Sequence, residues 1–134
     1  MDVEKDLFEK YVVKNDSEAV NQVACDIFNK LREPSSYVFY SWGVSKYKAI
    51  IYKDMPALQI RTNGFLHKGN VIVAYSETQK LYNVYILKRN HDVKQAVEDI
   101  SEDQLQKVID GLVETQNDKS SDYYSKCIKW FSRL

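Results

Sequence analysis

From Lys48 to Arg89 the chain reads as runs of β-branched, aromatic and aliphatic residues separated by connections of only a few residues. Parallel neighbours need a crossover of about a dozen residues or more, so strands joined this closely must pair antiparallel. The runs are Lys48 to Lys53, Ala57 to Thr62, Val71 to Ser76 and Leu81 to Lys88. Within the second, Leu58, Ile60 and Thr62 share one face and Ala57, Gln59 and Arg61 the other, which puts Arg61 on the solvent side. Asp54-Met55-Pro56 reads as a turn, because proline cannot donate to a central ladder. Asn63-Gly64 is a hairpin dipeptide, yet Lys68-Gly69-Asn70 signals a second turn close behind it. Two closed hairpins would leave Phe65 to His67 as a stub, so Asn63-Gly64 is read as a bulge within one longer strand.

Helices flank this meander. Val3, Leu7, Phe8, Tyr11 and Val12 recur at helical spacing, giving a short helix over Val3 to Val13. Asn15, Asp16 and Ser17 can cap a second helix, whose stripe is Val20, Val23, Ala24, Ile27, Phe28 and Leu31. Pro34 ends it. Tyr37 to Val44 is aromatic and β-branched and is read as a first strand. Val93 to Ile100 fits either period; it is read as a sixth strand, because Ser101 with Gln104 resembles a fresh capping box. Leu105, Val108, Ile109, Leu112 and Val113 mark a third helix, and Tyr124, Cys127, Ile128 and Phe131 a fourth, after the polar linker Thr115 to Ser121.

The expectation is one α+β domain over residues 1–134: two N-terminal helices, an antiparallel meander of five or six strands and two C-terminal helices, the helices mainly on one face of the sheet. An acidic start without a following apolar run is unlike a secretory signal, and no apolar stretch approaches the length of about 18 residues that spans a bilayer. The chain is therefore read as cytoplasmic, with no membrane contact. Cys25 and Cys127 are too few for a disulfide framework and read as small core residues.

Nineteen basic and nineteen acidic residues cancel overall, but not locally. Residues 35–91 hold eight basic groups against two acidic ones, Asp54 and Glu77, while both flanks are net acidic. Seven of the ten tyrosines lie in the same stretch. Flat rings beside cations on a sheet can hold a single-stranded nucleic acid, and Arg61, Lys88, Arg89, Tyr75, Tyr82 and Tyr85 are the candidate set for that chemistry. A second candidate set, for apolar protein contact, is Tyr40, Trp42 and Trp130, since tyrosine and tryptophan bury much area at little entropic cost.

His67 and His91 lie far in sequence from either cysteine, so no nucleophile–base pair can be assembled from the sequence. Paired cysteines, helical histidine pairs, calcium loops and glycine-rich phosphate loops are all missing from the pattern. No catalytic residue, metal ligand or cofactor is assigned. The leading reading is a non-enzymatic domain that acts through protein–protein contacts, with a second copy of the chain as one candidate partner. The alternative is a nucleic-acid-binding protein using the basic, tyrosine-rich sheet face.

Overall fold

The Val20 stripe forms helix α1 (Glu18–Arg32) in the computed structural model, which describes residues 10–64 and 66–114. Ser17 Oγ accepts the Val20 N–H at 3.4 Å, the cap expected of this position. The approach to the helix is fixed by buried Asn21, whose side chain accepts the Asn15 N–H at 2.8 Å and donates to the Asn15 carbonyl at 2.9 Å. Val20, Ala24, Ile27, Phe28 and Leu31 are buried, and Cys25 packs beside them partly exposed.

After Pro34 the structure departs from the strand expected over Tyr37 to Val44. Ser35 caps a short helix α2 (Ser36–Ser41), its Oγ accepting the Val38 N–H at 3.2 Å. The side chains follow a helical period, with Phe39 and Trp42 in the core while Tyr37 and Tyr40 are 87% and 72% exposed. A strand would have placed Phe39 and Trp42 on opposite faces. Burial of these two large rings on one side outweighs the β-propensity of the segment.

The sheet has six strands in sequential order: β1 (Val12–Val13), β2 (Lys46–Tyr52), β3 (Met55–Asn63), β4 (Lys68–Ser76), β5 (Leu81–Leu87) and β6 (Val93–Ile100). The meander from β2 to β6 is antiparallel as expected, including β6. β1 is the exception, pairing parallel to β2 through Val12↔Tyr47 and Val13↔Lys48, with α1 and α2 as its crossover. Val12 and Val13 were expected to end a helix; residues 3–9 of that helix, and the whole of the one expected around Tyr124 to Phe131, lie outside the described residues.

Two turns also differ. Tyr52 pairs with Met55, so the β2–β3 turn is Lys53-Asp54, with φ of 50° and 63°, and Pro56 belongs to β3. Pro56 precedes the point, Ala57, at which β3 meets β4, where the strand has only one neighbour and a missing N–H is tolerated. The expected bulge at Asn63-Gly64 is instead the start of a hairpin loop: β3 ends at Asn63, the Gly64 N–H bonds the His67 carbonyl at 3.0 Å, and Gly69 and Asn70 lie inside β4. The cause is tertiary. Leu66 and His67 both donate to the Val113 carbonyl, at 2.7 and 3.1 Å, and a Cβ on Gly64 would lie 2.5 Å from Val113 Cγ1.

Residues Glu102–Gln104 form a 3-10 turn leading into α3 (Leu105–Val113). Ser101 makes no cap; its hydroxyl donates to Asp103 Oδ1 at 2.7 Å. The described helices pack on one face of the sheet, against Ala49, Leu58, Ile60, Val71, Val73, Val84 and Ile86. Phe28 meets Tyr47 and Phe39 edge-on, at centroid distances of 5.3 and 6.4 Å. Two polar links lock α3 to the other helices: buried Gln106 Nε2 donates to the Leu31 and Ser35 carbonyls at 2.7 and 2.8 Å, and Trp42 Nε1 donates to Asp110 Oδ1 at 3.0 Å. The opposite face carries a second apolar cluster of Ala57, Ile72, Ala74, Tyr85 and Leu87, rimmed by Ile50, Tyr52 and Met55.

Candidate functional site

Because the strands run in sequential order, the start of β2, the end of β3, the start of β4, the end of β5 and the start of β6 all meet at one end of the sheet. Pairing then fixes which side chains become neighbours. Lys46 lies opposite Arg61, Arg61 opposite Asn70, and Asn63 opposite Lys68. Arg61 points away from the helices, since Ile60 and Thr62 beside it are buried on the helix side. Lys88 and Arg89 follow β5 in an exposed turn.

That turn is shaped by its own hydrogen bonds. Lys88 donates its N–H to the Asp92 carbonyl at 2.7 Å, and His91, at φ 72°, donates to the Lys88 carbonyl at 2.9 Å. The Asp92 carboxylate accepts the Asn90 side-chain amide at 3.0 Å. The nearest acid in sequence is thus engaged within the turn.

The result is a cleft of about 640 Å³ lined by Arg61, Lys68, Lys88, Arg89 and His91, by Ser45, Thr62, Asn63 and Asn70, and by Gly43 and Gly69. Among the described residues, no carboxylate lines it. The two acidic residues of the basic central stretch, Asp54 and Glu77, line a different cavity, at the opposite end of the strands. Among the described residues, none of the four cations forms an ion pair. Thr62 Oγ1 is turned inward, donating to the His67 and Gly69 carbonyls at 3.2 and 3.3 Å. Buried His67 packs behind Gly69 with Nε2 3.3 Å from the Asn70 carbonyl; burial lowers its pKa, an effect opposed by that carbonyl and reinforced by Lys94.

Arg61, Lys88 and Arg89 are therefore brought together, with Lys68 and His91 added. The tyrosines expected beside them are not. Tyr82 is 5% exposed and packs in the helix-side core, and Tyr75 lies against it with ring centroids 5.0 Å apart. Tyr85 is on the opposite face but only 1% exposed, its ring 4.9 Å from that of Tyr52 and under the Lys53 ammonium at 4.7 Å. Burial raises the pKa of both Tyr82 and Tyr85, helped by Glu102 at Tyr82 and by Glu98 at Tyr85. The period of two separates Tyr82 from Tyr85. Their rings are core, not a stacking platform.

The apolar contact set divides as well. Tyr40 is exposed, Trp42 is fully buried at 0%, and Trp130 lies outside the described residues. Tyr11, Val13 and Tyr37 join Tyr40 as exposed large side chains. Tyr11 and Tyr40 both lie near enough to Tyr47 to act on its hydroxyl. Lys68 and Asn70 were missed because the loop between β3 and β4 was misread; once that hairpin closes, pairing carries both into the site.

Among the described residues, no group of His, Cys, Asp and Glu is arranged to hold a metal ion, and no helix is long and apolar enough to cross a membrane. What the cleft can do chemically is bind anions: two forked guanidiniums and two ammoniums act beside neutral amide and hydroxyl groups. Compared with known proteins, the chain matches no protein family, no curated sequence and no solved structure.

Proposed function

We propose that this is a binding domain that holds the phosphate backbone of single-stranded nucleic acid across the end of its sheet. The observation that carries the reading is the cleft shared by Arg61, Lys68, Lys88 and Arg89, with no carboxylate among its described lining residues. Lys46, paired with Arg61, continues the row of cations onto β2. Contacts of this kind go to phosphates and carry no sequence information, so binding should tolerate sequence. A cytoplasmic setting is part of this reading.

Affinity should fall with salt as bound counterions are released. Two or three phosphate contacts on a single strand, counting one at Lys46, give a log–log slope of about −1.4 to −2.1, or roughly a 7- to 20-fold loss between 50 and 200 mM salt. Fluorescence anisotropy with mixed-sequence RNA and DNA tests this. The Arg61→Glu, Lys88→Glu, Arg89→Glu triple variant should lose binding. Affinity indifferent to salt, or unchanged in the variant, overturns the reading.

A second reading, association with a protein or with another copy of the chain, is favoured by the exposure of Tyr11, Val13, Tyr37 and Tyr40. Sedimentation over a concentration series, with a Tyr37→Ser, Tyr40→Ser variant beside the parent, tests self-association. A concentration-independent coefficient in both removes it.

A further inference from the structure

We propose that the cleft receives the phosphomonoester at one end of a nucleic-acid strand in preference to the phosphodiesters within it. The inference rests on the nucleic-acid reading above and names which part of the strand the site selects. Its first support is capacity. The cube root of about 640 Å³ gives a width of roughly 9 Å. Successive phosphates of a strand are joined through six backbone bonds and lie well beyond the roughly 3.4 Å axial rise, so that width admits one or two of them. Internal phosphodiesters carry one charge each and leave the four cations undercompensated. A terminal phosphomonoester carries about 1.5 to 2 charges near neutral pH and narrows that shortfall.

The second support is the geometry of the donors. Arg61 and Arg89 come from different elements, β3 and the β5–β6 turn, and line the same cleft. Each guanidinium can engage two oxygens through parallel N–H donors. A phosphodiester offers two non-bridging oxygens, so two bidentate arginines must share both of them, whereas a phosphomonoester offers three and the two guanidiniums need share only one. Ser45, Asn63 and Asn70 add neutral donors, and among the described residues none of their side chains makes a hydrogen bond elsewhere. Asp92, the nearest carboxylate in sequence, accepts the Asn90 amide and does not line the cleft.

The test is a competition experiment on the full chain, in which unlabelled strands displace a labelled one at low salt. The competitors share one sequence and carry hydroxyls at both ends, a 5′-phosphate, or a 3′-phosphate. One phosphorylated strand should compete about tenfold better than the hydroxyl strand, the gain expected of added charge-assisted hydrogen bonds, and the arms identify which end is read. Arg61→Gln and Arg89→Gln, both at exposed positions that leave the core intact, should each remove that advantage. Lys107→Glu, exposed on α3, should retain it. Equal competition by all three strands overturns the inference and leaves the nucleic-acid reading standing. Failure of every strand to compete or bind overturns that reading and the inference with it.

Discussion

Replacing Gln106 with methionine should destabilise the domain by about 3 kcal/mol, and the structure shows where that figure comes from. Gln106 is 7% exposed and spends both amide hydrogens on two carbonyls, those of Leu31 and Ser35. The Leu31 carbonyl belongs to the last turn of α1, where helix geometry supplies no further donor, so its loss leaves a buried acceptor orphaned at about 1–3 kcal/mol. The Ser35 carbonyl still accepts the Phe39 N–H at 3.2 Å and loses only a second bond, about 0.5–1.5 kcal/mol. Methionine fills nearly the same volume, so no cavity adds to the sum. Urea unfolding gives the free energy directly, and the melting temperature should drop by roughly 10 °C for a domain of this length. Gln106→Glu should be at least as damaging at neutral pH, where an ionised carboxylate faces two carbonyls, and partly recover in acid, where the protonated group can donate once. A Gln106→Met variant within about 0.5 kcal/mol of the parent would refute the reasoning, since it would mean that these carbonyls find other partners at little cost.

The β2–β3 turn holds Lys53 and Asp54 at φ of 50° and 63°, so Asp54→Gly, which leaves the Lys53 ammonium on the Tyr85 ring, should stabilise by about 0.5–1 kcal/mol, read as a higher urea midpoint. Gly64→Ala should cost about 1–3 kcal/mol, because its Cβ would meet Val113 at 2.5 Å and push the loop off the end of α3; slowed proton exchange retained at Leu66 and His67 in the variant would contradict this. Burial lowers the pKa of His67 below 6.5, so the unfolded chain takes up this proton first as pH falls. That contribution to stability is complete above about pH 6.5 and is lost as pH falls through the folded value; His67→Gln should flatten the change in urea midpoint between about pH 7.5 and 5, and an equally steep dependence in the variant would rule His67 out.

The elements legible in the sequence are those whose signals are local. The α1 stripe from Val20 to Leu31 and the alternation of Leu58, Ile60 and Thr62 report periodicity that tertiary structure leaves in place. The cations at the sheet end were legible singly, as charge in a strand-rich stretch. Their convergence with Lys68 was not, since it depends on where the β3–β4 hairpin closes, and that loop is anchored by Val113, far along the chain. Tyr37 to Trp42 misled for a related reason. Its composition favours strand, while Ser35 after Pro34 and the i, i+3 spacing of Phe39 and Trp42 carried the helical signal in two details easily outweighed by composition. The tyrosines were misread as a surface because abundance in a sheet was taken for exposure, although alternation sends Tyr82 and Tyr85 to opposite sides and both sides are apolar at those positions.

The sequential strand order has a kinetic consequence. Each hairpin from β2 to β6 closes through a short loop, so the entropy lost before its first contacts is small and the meander can form early. The links that Gln106 and Trp42 make to other helices span 75, 71 and 68 residues, and β1 must return across α1 and α2 to reach β2. These long closures should form late, on the native side of the folding barrier. Substitutions in the clamp should therefore speed unfolding more than they slow folding, whereas substitutions between β3 and β4 should do the reverse.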